Sequence, residues 1–203
     1  MCSIAIDLTP KGRVNQKKKH QEDVEDLEIV NALYRTQKII QSRFLHRKAS
    51  VKSMFYLSAV IEFIIHLKFL LESAEKFEVP ITFKDDIPDF KGRKDGSYTN
   101  INGLVKFFRD AVCHQTAYDK RKTNKKGVSR ACIFQIGTTP SARDIGEHFC
   151  KYNDDIAFIM GDHYIYIKRH LIRAANEASV QLTSHNRLAF YPHLFKPRTK
   201  NSR

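Results

Sequence analysis

No pair among the four cysteines Cys2, Cys113, Cys132 and Cys150 has C-x-x-C or comparable spacing. That pattern excludes an ordinary structural zinc site and predicts free thiols in a reducing compartment. The first thirteen residues hold only a short apolar run with no small-residue cleavage site, so a secretory leader is not expected and a cytoplasmic location is. No P-loop and no dinucleotide-binding glycine pattern occurs, which removes the common nucleotide-cofactor classes. Internal repeats and low-complexity tracts are missing too. The most apolar stretch, 54–71, is broken by Glu62, His66 and Lys68. Three ionisable groups are costly in lipid, so this stretch predicts a buried helix and no membrane association.

What is abundant is aromatic and basic. Fourteen Phe and eight Tyr in 203 residues provide enough apolar surface for one packed domain without disulfides. The formal net charge is +13, unevenly divided. Residues 1–100 carry 17 Lys/Arg against 14 Asp/Glu, and residues 101–203 carry 18 against 8. The second half therefore points to a polyanionic partner, RNA or another nucleic acid, with simple solubility as the plainer alternative.

Periodicity predicts a mainly α architecture. Residues 1–20, with Lys11, Arg13, Lys17, Lys18 and Lys19, read as a flexible basic arm. A first helix starts near Asp23, its apolar stripe built from Leu27, Val30, Leu33, Tyr34, Ile40 and Phe44. A second helix, capped by Ser50, runs to about Lys76 and pairs with the first as an antiparallel hairpin. It is apolar nearly all round, and its polar stripe Ser58, Glu62 and His66 is a solvated strip, a satisfied polar contact between helices, or the lining of a functional groove. A punctuated loop at 78–99 leads to a third helix from Asn100 or Asn102 to just past His114. Strands are expected at 131–136, 156–160 and 164–167, the last two joined by Gly161-Asp162-His163. A final helix covers about 168–182, with Leu171, Ile172, Ala175 and Ala178 inward. The single domain is thus 21–195, with a β insertion at about 130–167. Phe190, Tyr191, Leu194 and Phe195 are expected to dock, ahead of a basic tail at 196–203.

The segment Leu104-Val-Lys-Phe-Phe-Arg109-Asp110-Ala-Val-Cys113-His114 is the most informative. RNA cleavage without metal requires proton transfer near neutral pH, which an imidazole performs, and positive charge on the crowded phosphorane, which a guanidinium supplies. Asp110 stands four residues before His114 and can fix its tautomer. Five residues of ideal helix turn about 140°, so Arg109 and His114 share a face only through the long arginine, fraying, or a second copy. Cys113 beside His114 reads as a small core residue rather than a nucleophile.

With its helical hairpin and an arginine followed by a histidine after four residues at a helix end, the chain resembles the HEPN superfamily, over roughly 23–115 and 168–182. The resemblance implies an antiparallel helical bundle and a metal-independent endoribonuclease without cofactor, its site formed between two protomers. Carried over, the catalytic positions are Arg109 and His114. Asp110 occupies a place that is often Asn in the family, and the strands at 130–167 depart from the compact bundle. Substrate backbone would be held by Lys120, Arg121, Lys122, Lys125, Lys126 and Arg130, and by Lys168 and Arg169 at the start of the last helix. The alternatives are a non-catalytic nucleic-acid-binding or interaction protein, and a metal-dependent nuclease using Asp85, Asp86 and Asp89 or Asp154, Asp155 and Asp162 with His148 or His163. A toxin-type enzyme would also need an inhibitory partner protein.

Overall fold

In the computed structural model, residues 10–87, 98–113, 134–139, 148–160, 163–185 and 188 are described. Helix α1 (Pro10–Gln41) is followed by a 3-10 turn (Lys48–Lys52) and helix α2 (Tyr56–Lys76). Helix α3 (Ile101–Cys113) comes next, then strands β1 (Phe134–Thr139), β2 (His148–Phe149), β3 (Ala157–Met160) and β4 (His163–Tyr166). A π-helical turn (Ile167–Ile172) feeds helix α4 (Arg173–Ser184).

The first two helices are antiparallel, as their ion pairs show: Lys76 meets Glu25, while Arg35 lies 3.6 Å from Glu62. Helix α1 begins at Pro10, so residues 10–20 belong to it and not to a flexible arm. Proline suits a first helical position because its missing N–H has no partner there anyway. The core face of α1 is Ile29, Val30, Leu33 and Thr36. Leu27 and Tyr34, expected in that stripe, are 55% and 47% exposed, because Leu27 stands about 200° round the helix from Ile29. Ser50 lies within the 3-10 turn and caps nothing in α2, which starts six residues later. Instead the buried Tyr56 hydroxyl donates to the Leu45 carbonyl at 2.5 Å, closing the hairpin connection.

Helix α2 is central and packs against α1, α3 and α4. It buries Phe63, Ile64, Leu67, Leu70 and Leu71. Asn100 starts α3: its Oδ1 accepts from the Gly103 amide at 3.0 Å, an N-cap bond. Gly103 is needed for packing, since a Cβ there would come within 2.9 Å of Tyr98 Cβ. The inner face of α3 is Ile101, Leu104, Val105, Phe108 and Ala111. Cys113, read from sequence as core, is exposed, about 140° away from Phe108 round the helix. The short side chains Ala174, Ala175 and Ala178 bring α4 close to the bundle.

The four strands are ordered β2-β1-β3-β4. Pairing is antiparallel between β1 and β3 (Ile136 opposite Phe158) and between β3 and β4 (Met160 opposite His163). The expected hairpin is therefore present, with His163 inside a strand and Gly161 and Asp162 outside the described residues. The parallel edge strand β2 had no counterpart in the sequence reading. The sheet joins the bundle through rings, Phe158 against Phe108 at 5.8 Å and His163 against Phe107 at 4.3 Å between centroids. Among the described residues, no helix is long and apolar enough to cross a membrane. The residues expected to dock at 190–195, the tail at 196–203 and residues 1–9 of the arm lie outside the described set.

Candidate active site

Helix α3 runs antiparallel to α2, because Asn102 reaches Glu75 at 3.2 Å while Arg109, two turns on, lies over the middle of α2. Arg109 lines a groove of about 420 Å³ with Glu28 and Asn31 of α1 and His66, Lys68 and Glu72 of α2. Its side chain is 33% exposed, accessible from solvent rather than walled into the core. The guanidinium donates through Nη1 to Asp110 Oδ1 at 2.9 Å. That bond, ahead of weaker attraction from Cys113, Asp110 and Glu72, holds Arg109 above its ordinary pKa. Asp110 thus has a partner the sequence reading did not give it. His114 and the basic residues Lys120, Arg121, Lys122, Lys125, Lys126 and Arg130 lie outside the described residues.

The polar stripe of α2 divides in two. Glu62 is engaged by Arg35 at 3.6 Å and by His66 Nε2 at 3.8 Å, a polar contact between helices. His66 also faces the Arg109 groove, so the groove contains an imidazole that the sequence offered only as one reading of the stripe. Burial lowers the pKa of His66, Arg35 adding to the effect and Glu62 opposing it.

No family model, no curated protein and no solved structure matches this chain.

The start of the last helix looks different from the sequence expectation. Lys168 and Arg169 are in a π-helical turn, and the seat an anion would take is filled by Asp155. That buried carboxylate accepts from the amides of Ile156 at 2.7 Å, Lys168 at 2.8 Å and Arg169 at 3.0 Å. The Arg169 guanidinium lies 3.0 Å from Asp154 and 3.3 Å from Asp155, and stacks 3.7 Å over the Tyr152 ring. Arg169 is thus engaged by carboxylates within the molecule, with its side chain still 31% exposed. Lys168 Nζ donates to the Asp154 carbonyl.

The proposed metal carboxylates are dispersed into similar pairs. Asp85 binds Arg173 at 2.6 Å, Asp86 accepts from the Tyr152 hydroxyl, and Asp155 is a cap. Among the described residues, no three His, Cys, Asp or Glu side chains gather in a metal-binding group. Asp89 and Asp162 lie outside those residues.

His170 follows Lys168 and Arg169 in the π-helical turn. Its ring is buried. Nδ1 accepts from the Tyr166 amide at 3.1 Å, which leaves Nε2 protonated to donate to the Asp85 carbonyl at 3.2 Å. Burial, opposed by the Asp85 carbonyl and by Asp86 and Asp155, lowers its pKa to about 4. The unfolded chain then holds a proton that the folded chain lacks between 6.5 and about 4. This contribution to stability is complete above the upper value and is lost as the pH falls through the lower one, at most about 3 kcal/mol. Urea midpoints measured from pH 7.5 to 4.5 should fall, and more gently in His170→Gln, which keeps an acceptor and a donor. Equally steep profiles would refute this account.

Proposed function

We propose that the chain is a HEPN-type, metal-independent endoribonuclease acting as a homodimer. The observation that carries the reading is an accessible arginine, Arg109, on a solvent-facing groove in the last turns of α3, four residues before the helix end at Cys113, which His114 follows in sequence. The mainly helical fold around a central hairpin supports it. In the reaction, the imidazole of His114 takes the proton from a ribose 2′-OH. The 2′-oxygen attacks the phosphorus, the bond from phosphorus to the 5′-oxygen breaks, and the 5′-oxygen takes its proton from the protonated imidazole of the second copy. Arg109 binds the non-bridging oxygens while charge accumulates there. The products are a 2′,3′-cyclic phosphate and a free 5′-hydroxyl. Lys120, Arg121, Lys122, Lys125, Lys126 and Arg130 hold the backbone of the substrate, and a second copy supplies the other half of the site. Restraint by an inhibitory partner protein fits an enzyme of this kind.

The test is incubation of the purified protein with single-stranded RNA in excess EDTA, with the product ends analysed. Undiminished cleavage with cyclic-phosphate ends is expected. Activity abolished by EDTA would point to a metal-dependent nuclease. No cleavage between pH 6 and 8 would leave the second reading, a non-catalytic nucleic-acid-binding or interaction protein. One observation favours that second reading: the Arg109 fork is already engaged by Asp110.

A further inference from the structure

From Ile29 to Ile61 the sequence has no Asp or Glu and six cations, Arg35, Lys38, Arg43, Arg47, Lys48 and Lys52. Counting charge by halves hides this run, because the acids of residues 22–28 cancel it. The fold gathers its second part at one end of the bundle, in the connection between α1 and α2. There Arg43, Arg47, Lys48 and Lys52 are all exposed. Elsewhere the cations Arg109, Arg169, Arg173, Lys68, Lys76 and Lys151 each meet a carboxylate. Among the described residues, Arg43, Arg47 and Lys52 meet none. Lys48 reaches only a backbone oxygen, Thr138 O at 2.5 Å. Lys168 joins the cluster from the π-helical turn: His46 is lowered below its ordinary pKa by burial and then by Lys168, Arg43 and Arg47 acting through space.

Two more features belong to the same connection. Arg43 sits at φ 58°, the left-handed region where glycine ends a helix at less cost. An arginine stands where the backbone favours glycine. Beside the cations, Met54 is 84% exposed and Phe55 67%, an apolar platform about the size of one base.

We propose that the α1–α2 connection binds a single-stranded polynucleotide, with Arg43, Arg47 and Lys52 on successive phosphates and a base stacked on Phe55. Guanidinium forks suit phosphate oxygens, and an exposed aromatic ring suits an unstacked base. The apolar surface is too small for an interfacial membrane helix, which immerses a whole apolar face, and the 3-10 turn buries none of its residues. Fourteen residues of α2 separate Phe55 from Phe69 in the Arg109 groove, about 20 Å along the axis. The connection is thus a separate contact. It shares with the ribonuclease reading only the class of partner, and stands even if Arg109 cleaves nothing.

The experiment is fluorescence anisotropy of labelled 20-nucleotide RNA, the same DNA strand and the duplex, with co-sedimentation on phosphatidylserine vesicles in parallel, on the whole chain carrying His114→Ala to keep strands intact. Arg43→Gly, Arg47→Ala and Lys52→Ala combined should weaken single-strand binding at least tenfold. They should also lower the salt slope by about 2, near 0.7 for each lost phosphate contact. Phe55→Ala should weaken it about tenfold with the salt slope unchanged. Arg43→Gly alone should weaken binding while leaving Tm unchanged or raised, which separates lost contact from lost fold. Affinity within twofold of the parent, equal binding of duplex, or binding only to phosphatidylserine vesicles would each overturn the proposal.

Discussion

Alanine at Arg109 is expected to slow RNA cleavage about 10²–10³-fold in single-turnover assays, with RNA affinity changed only a few-fold. A guanidinium aimed at developing charge matters most in the transition state, so its loss should appear in the chemical step rather than in binding. Arg109→Lys should recover only part of the rate, because an ammonium cannot grip two phosphate oxygens in a plane. His114→Ala should give a loss of similar or greater size, again with binding retained. The arginine is held by α3, whose inner residues Leu104, Val105 and Phe108 fix the helix while Arg109 lines the groove. A rate within threefold of the parent for Arg109→Ala would remove it from the mechanism.

The largest effect on stability should follow replacement of Asp155. Its buried carboxylate satisfies the Ile156, Lys168 and Arg169 amides and one side of the part-buried Arg169 guanidinium. Alanine would leave those donors without an acceptor and a part-buried cation short of a counter-charge. Losing one partner of a buried pair costs about 3–5 kcal/mol, which is a large share of a typical domain's stability. Asp155→Asn, which keeps one acceptor oxygen, should fall between parent and alanine. Urea denaturation measures both, and a loss below about 1 kcal/mol for alanine would show that the cap is dispensable.

The helices were legible where one face alone is buried. Helix α3 reads directly from Ile101, Leu104, Val105 and Phe108, and Asn100 marks its start. Helix α1 was harder, because Leu27 and Tyr34 are apolar yet exposed and pull an inferred stripe off its true axis. The hairpin of β3 and β4 was visible from its turn, whereas the two-residue strand β2 carries too little pattern to be seen. At the site, the groove of Arg109 needed coordinates: Glu28, His66 and Arg109 are far apart in sequence and meet only through the packing of three helices. The carboxylate partners of Arg169 were hidden for a related reason. Sequence shows a cation at a helix start, but not that Asp155, fourteen residues earlier, folds back to occupy the position.

Between α2 and α3 the chain is moored far from the groove. The Phe83 carbonyl receives the Ile101 amide, Asp85 is held by His170 and Arg173, and Asp86 by Tyr152. The lead-in to α3 is therefore anchored to the sheet and the last helix, and so is the platform that carries Arg109. Damage at those moorings would reorient the arginine from the far side of the protein, disturbing the groove without altering any residue that lines it.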